Sequence, residues 1–559
     1  MHSSRYTRRD VMAGAAIALG ASAAGVGLPA LGAGGVELAS GTVFDDQAGD
    51  GIRRSFSRWL PGVLVSNGRD VVRTDADGRW RLPVADGQHV FVITPSGWSS
   101  PRDGARPLFS YRHLPFGSPA YPQRRFSGSP PTGPLPASID FPLRRTPQPE
   151  SFEAVLVADT QPANQQELCF VRDAVLAPIA ETGAAFAIHH GDVVGDDLGL
   201  MDRYLGLLGV TGMGWHHCPG NHDMNLDCPD GRHAFETWQR QIGPTHYAFQ
   251  HGQATFIVLD NVEYFGAAGR QGGGRGYRGV IGARQLDFVA NVLRHTPRDH
   301  LVVVSMHIPL VSFDDPHNPA DTTADRAALL GLLASHPHTV SFAGHSHTTE
   351  HHYLDAREGF ARDTPHHHHV LTAACGSWWS GPHDHRGIPV SLSRDGSPKG
   401  FHVLAVDGNR YTTRFVSCDS DQPLAQMRMI AGCHSGSGAA NGAGWQLGGR
   451  IALGDLRNAA VLVDVFDGGP RTQVSLEIDG VTSSPVEMRR TRDCNPYIVD
   501  FFARHAATCK PWVAASRSSH LWTLPLPDGL TEGAWRARAL VRDAWGREHA
   551  AHLIIEVTA

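Results

Sequence analysis

The chain has 559 residues, 41% of them hydrophobic, with a formal net charge of -6 and a pI near 6.6. So long a chain exceeds a single core and predicts roughly three or four domains, while its charge balance leaves no basic footprint for wrapping nucleic acid. The unusual feature is 33 histidines, and because imidazole is the commonest metal ligand, where they fall decides what they mean.

In chain order, the start carries Arg8 and Arg9 ahead of an Ala/Gly-rich run from Val11 to about Leu31. Its composition makes a poor membrane span. Residues 1–33 resemble a twin-arginine export signal, which implies export in the folded state and a periplasmic or secreted mature protein. No later segment is long and apolar enough to span a bilayer. Residues 34–125 alternate short β-rich runs with Asp/Gly/Asn turns, the pattern of a small β-sandwich, and resemble transthyretin-like modules of exported proteins. Asp45, Asp46 and Asp50 read as turn acids, with calcium binding the lesser reading. The Pro/Ser/Gly-rich stretch 126–150 suits a linker or a wrapping arm.

From Ser151 to 415 apolar β-runs end in polar clusters and alternate with helix-compatible pieces such as "ELCFVRDAVLAPIAET". That is an α/β layered domain, whose ligand site gathers where strands end. Residues 416–559 return to period-2 alternation and read as a second β-sandwich. Eight cysteines in an exported chain make disulfides an expectation. The nearest pairs in sequence are Cys218–Cys228, Cys418–Cys433 and Cys494–Cys509, and none lies in a CxxC zinc pattern.

Successive strand ends deliver metal-type ligands: Asp159 and Gln161 in "ADTQ", Asp192 in "GDVVGD", Asn221 and His222 in "GNHD", His307 in "MHIP", His345 and His347 in "GHSH". Asp260 in "VLDN" has no assignable role. A lone histidine at a strand end is usually a hydrogen-bonded structural residue. Five such clusters in order, each after an apolar run, are not explained that way.

This series resembles the calcineurin-like metallophosphoesterase superfamily, in its exported three-domain branch. The resemblance implies a four-layer αββα sandwich of two mixed sheets flanked by helices, between N-terminal and C-terminal β-sandwiches. It implies two divalent metal ions (Mn, Fe, Zn, Mg or Ca) and hydrolysis of a phosphate mono- or diester by hydroxide bridging them. Asp192 would bridge the ions; Asp159, Gln161 and His347 would complete one shell, and Asn221, His307 and His345 the other. His222 would protonate the leaving alkoxide, and Asp223 would orient its ring and raise its pKa. The family's usual D-x-H stands here as Asp159-Thr160-Gln161. A neutral, hard amide oxygen at 161 favours Mn, Mg or Ca over Zn at that position. It is also the one support for a rival reading, a non-catalytic exported binding or envelope protein with a degenerate metal site.

Trp378 and Trp379 are candidates for the substrate mouth, with packing the equal alternative. His383 and His385 face either the site or solvent, the run His366–His369 reads as exposed, and at most one of His216 and His217 points at the site. The Gly-rich stretch 269–279, with its three arginines, reads as a mobile loop, near the phosphate site in the functional reading.

Overall fold

The structure, a computed structural model, describes residues 35–121, 124–273, 275–419, 425–434 and 441–559. The export-like segment 1–33 lies outside the described residues. No helix among those described is long and apolar enough to cross a membrane.

Two central sheets set the frame. One runs Gly214–Cys218, Phe186–His190, Ser151–Val157, Gly400–Asp407, Arg410–Ser417; the first three strands are parallel and the last two antiparallel. The other has six strands in the order Tyr247–His251, Ala254–Val258, Leu301–Ser305, Thr339–Ala343, His366–Val370, Glu350–Leu354. Strand Ser151–Val157 shows why these runs lack polar alternation. Ala154 and Leu156 pack into the core between the sheets, while Val155 and Val157 pack under an outer layer with Leu168, Val171 and Tyr204. Both faces are buried, so both are apolar. Helices Gln165–Phe170 and Met201–Gly209 cover one sheet, and Ala283–His295 and Arg326–Leu333 join the core of the other. The Asn164 side chain caps the first helix by accepting the Glu167 N–H.

The N-terminal module pairs two four-stranded sheets, Arg79–Val84, Glu37–Asp45, Phe141–Arg145, Trp98–Ser99 and Val71–Arg73, Leu64–Ser66, His89–Ile93, Ser110–Arg112. Part of the expected linker is a core strand: Phe141–Arg145 runs parallel to Glu37–Asp45 and buries Phe141 and Leu143. The module shares a core with the central layers through Phe91, 5.8 Å from Phe288 edge to face. The C-terminal domain stacks two five-stranded sheets over its own core. All eight cysteines are free thiols, so the pairs expected from sequence do not form. Asp46 accepts from the Gly49 and Gly51 N–H groups, which is turn chemistry.

Candidate metal centre

The motif loops all lie at the ends of the central strands and meet in one buried cluster. Asp159 follows strand Ser151–Val157 and Asp192 follows Phe186–His190; Asn221 and His222 follow Gly214–Cys218. His307 follows Leu301–Ser305, and His345 and His347 follow Thr339–Ala343. The glycines in the motifs are there for close approach. A Cβ on Gly220 would sit 2.2 Å from Asp192 Oδ1, and one on Gly344 would sit 2.5 Å from Asp159 Oδ2.

The backbone marks the same places. Among the described non-glycine residues, positive φ occurs at Asp159, Gln161, Asp192, Asp196, His345, His347, Trp378, Trp379 and Ser391. Left-handed backbone at non-glycine residues is costly and gathers at functional sites. Apart from Asp196 and Ser391, each of these residues was selected from the sequence.

At the centre, His307 Nε2 lies 3.3 Å from Asp192 Oδ2, 3.0 Å from Asn221 Oδ1 and 3.1 Å from His345 Nδ1. Asp192, His307 and His345 form a set able to hold one cation. Asp159 accepts the His345 backbone N–H at 2.9 Å, and His347 Nε2 stands 3.9 Å from its Oδ1. Gln161 turns its amide N–H to Asp192 Oδ2 at 2.6 Å, and its Oε1 lies 3.8 Å from Cys375 Sγ. The rings are held from behind: His307 Nδ1 lies 2.8 Å from the His190 carbonyl, and His347 Nδ1 lies 2.6 Å from that of Gly376. Fixing the distal nitrogen sets the ring for ligation through the other.

Electrostatically the cluster is short of positive charge. Burial, with the Asp192 charge, pushes the Asp159 carboxyl up to about 7. Burial also opposes charge on His307, yet Asp192 holds that ring up at about 9. Asp192 itself, despite its burial, is kept well below the usual carboxylate range by His307 and His222. Burial lowers the pKa of the His345 and His347 rings, so the His307 proton stands alone among two carboxylates, an amide and three rings, a donor set that fits divalent cations.

His222 lies at the rim, its side chain 34% exposed, with its backbone N–H donating to Asp192 Oδ1 at 2.9 Å. Its ring partner is Asp196, with Nδ1 2.7 Å from Oδ1. Asp223, expected to orient the ring, is engaged by the backbone instead, although its charge does help raise the His222 pKa: its buried carboxylate accepts the N–H groups of Gly220, Val193 and Val194. It ties the "GNHD" loop to the "GDVVGD" loop. Burial opposes charge on His222, and Asp192 and the Asp196 bond raise the ring to about 9.

Of the two tryptophans, Trp378 stacks on His347 with ring centroids 4.2 Å apart and meets the exposed Trp512 of the C-terminal domain at 6.5 Å. Trp379 is core: it is buried, packs on Phe170 and donates its indole N–H to the Thr160 carbonyl, which corrects its assignment to the substrate mouth. His383 and His385 are exposed, and His216 stacks on Phe249 at 3.7 Å. The run His366–His369 is buried, not exposed.

Sequence reasoning missed Asp196, although it closes "GDVVGD", and missed Asp321, which no motif marks. Asp321 lies 3.2 Å from His345 Nε2 and pairs with Arg275 at 2.5 Å, bringing the Gly-rich loop to the site. A cavity of about 530 Å³ lined by Trp98, Phe109, Phe186 and His216 shares no residue with this centre.

The family model described as the N terminal of calcineurin-like phosphoesterase matches residues 50–122, and that of the C terminal of calcineurin-like phosphoesterase matches residues 368–549. No curated protein matches the sequence. Among solved structures, the purple acid phosphatase PPD1 isolated from yellow lupin (Lupinus luteus) seeds is similar over 69% of this chain and 72% of its own. Its identity is 12% and its TM-score 0.38, too low to bear on the argument.

Proposed function

We propose, for a chain that belongs to the calcineurin-like metallophosphoesterase superfamily, that it is an exported dimetal hydrolase of phosphate mono- or diesters. The observation that carries this reading is the meeting of Asp159, Asp192, Asn221, His307, His345 and His347 in one buried cluster, with His222 at its rim.

Two divalent cations, when bound by those residues, supply the positive charge that neutralises the phosphate and the acidity that makes water a nucleophile at neutral pH. Asp192 would be the carboxylate shared by the two cations; Gln161, His307 and the His222 backbone converge on its two oxygens. His222 holds the leaving group's proton. With Nδ1 engaged by Asp196, its Nε2 is the atom that donates to the departing alkoxide. Asp196 stabilises the protonated ring, and Asp223 fixes the loop that presents it. Trp378 forms one wall beside His347. The twin-arginine-like start supports a periplasmic or secreted location.

The rival, a non-catalytic binding protein, draws on one observation: the Gln161 amide occupies Asp192 Oδ2. The two separate in one assay. Mature protein loaded with manganese is offered a chromogenic phosphomonoester and the corresponding diester, before and after chelation. Turnover that chelation abolishes and manganese restores supports the hydrolase; inertness toward both esters with manganese, zinc and iron supports the rival.

A further inference from the structure

Strand His366–Val370 places four histidines in a row between Thr339–Ala343 and Glu350–Leu354. Those on one face are satisfied: His366 and His368 each lie 2.8 Å from Ser341 Oγ, and His368 Nε2 accepts the Leu310 N–H. The other face is not.

There His369 stands opposite His351 in the strand register, their rings stacked at 4.0 Å. His402, from the facing sheet, brings its ring centroid to 4.7 Å from that of His369. Asp467, just beyond strand Ala459–Val465 of the C-terminal domain, completes the group. Its Oδ1 lies 3.1 Å from His351 Nε2, 3.1 Å from His369 Nε2 and 3.7 Å from His402 Nδ1. Among the described residues, the ion-pair partners of this carboxylate are these histidines alone.

Two features ask for something between these atoms. First, both ring nitrogens of His369, and Nδ1 of His402, are buried with no hydrogen-bond partner. Native interiors rarely leave such groups unsatisfied, and an unseen ion is one of the standard reasons. Second, His351 is aimed from behind. Its Nδ1 lies 2.9 Å from His367 Nε2, and His367 Nδ1 lies 2.8 Å from the Tyr411 hydroxyl. With Nδ1–H donated into that relay, the His351 Nε2 lone pair is free for a cation; in the opposite tautomer Nε2–H donates to Asp467 Oδ1 instead. The relay is the outer support that ligating histidines characteristically have.

The spacing fits as well. Four ligands about 2.1 Å from a tetrahedral zinc ion stand roughly 3.4 Å from one another; the separations from Asp467 Oδ1 are 3.1, 3.1 and 3.7 Å, and the ligand atoms of His369, His402 and Asp467 all lie within 4.8 Å of one another. We propose that His369, His402 and Asp467, with His351 at the fourth corner, bind a zinc-class divalent cation that clamps the C-terminal domain onto the central sandwich. The nitrogens and single carboxylate favour zinc over calcium or magnesium, and a closed set of protein ligands makes the role structural. His351 is the weakest corner, since it already bonds Asp467 directly; ligation through His402 Nδ1 would give up only the long 3.4 Å bond its Nε2 accepts from the Thr372 N–H. The site shares no residue with the phosphoesterase centre and does not depend on that centre being active.

The direct test is anomalous diffraction at the zinc edge on crystals of the full parent protein grown with zinc. A peak bonded to His369 Nε2, His402 Nδ1 and Asp467 Oδ1 is expected; no peak there overturns the proposal. Stoichiometry gives a second reading. A double variant Asp192→Asn/His307→Gln, impaired at the phosphoesterase centre, retains one tight zinc per chain. Adding Asp467→Asn weakens that zinc by roughly 100-fold or more, and adding His351→Gln weakens it less. Unchanged zinc affinity after Asp467→Asn overturns the proposal, and if the double variant does not fold, the diffraction result decides.

Discussion

His222 Nδ1 and Asp196 Oδ1 stand 2.7 Å apart, and this bond, rather than one to the neighbouring Asp223, aims the imidazole at the mouth of the cluster. Asp223 adjoins His222 in sequence and Asp196 lies 26 residues away, yet it is Asp196 that bonds the ring. Asp196 orients the ring and raises its pKa, and Asp223 holds the backbone that carries it while its charge adds to the same rise.

Asp196→Asn is therefore expected to keep the fold and lower kcat/KM by about 10- to 100-fold. It removes a carboxylate that raises the His222 pKa, so the ring loses its proton at lower pH and the alkaline limb of the pH profile moves down. The pH dependence of kcat/KM checks both statements. Asp223→Asn instead lowers thermal stability, because it weakens three buried N–H bonds at once.

Gly344→Ala tests the packing of the motif loops. The added methyl would arrive 2.5 Å from Asp159 Oδ2 and 2.7 Å from Ala158 Cβ, both on fully buried residues. A stability loss of about 1–3 kcal/mol is expected, together with reduced metal content, read by denaturant unfolding and elemental analysis.

The C-terminal domain is held by a buried charge cluster: His520 Nδ1 lies 2.8 Å from Asp464 Oδ1, and its Nε2 lies 2.9 Å from Asp395 Oδ2. His520→Gln should cost about 3–5 kcal/mol, since it strands buried carboxylates. Burial opposes charge on His520, but Asp395 and Asp464 raise its pKa from 6.5 to about 10. Its contribution is thus complete below about pH 6.5 and disappears as pH rises through 10. Asp395 is shifted the other way: burial opposes its charge, but the His520 charge and hydrogen bond, with the Thr349 and Ser397 N–H groups, together outweigh it; its contribution is present above 3.8 and lost as pH falls through its lowered value. The stability gap between parent and His520→Gln, followed by denaturant unfolding across pH, should be widest near pH 5 to 6 and close toward pH 10.

Gln161→His restores the imidazole that the superfamily usually carries. Its effect should be a shift of metal preference from manganese toward zinc of about 10-fold or more, read in competitive loading.

The clustering of the candidate residues was legible because each follows an apolar strand, and glycines in the motifs admit the close approach of the loops. The central layers were legible for the same reason. What escaped the sequence depended on partners remote along the chain. "FPLRR" is too short to show a period, so Phe141–Arg145 read as linker, although Glu37–Asp45 makes it a strand. The run His366–His369 looked polar and exposed because nothing local reveals Ser341, Leu310 and Asp467, which surround it. Disulfides between near cysteines were inferred from compartment and count, but the fold keeps the thiols apart. Adjacency suggested Asp223 for His222, while the turn put Asp196 against the ring.

The central claim is tested most directly by the turnover of a chromogenic phosphoester by manganese-loaded parent and His222→Ala proteins, compared at equal metal content. Hydrolysis by the parent, with kcat lowered by about 100-fold or more in the variant, is the predicted result. Equal turnover by both proteins, or none by the parent at full metal occupancy, would contradict it.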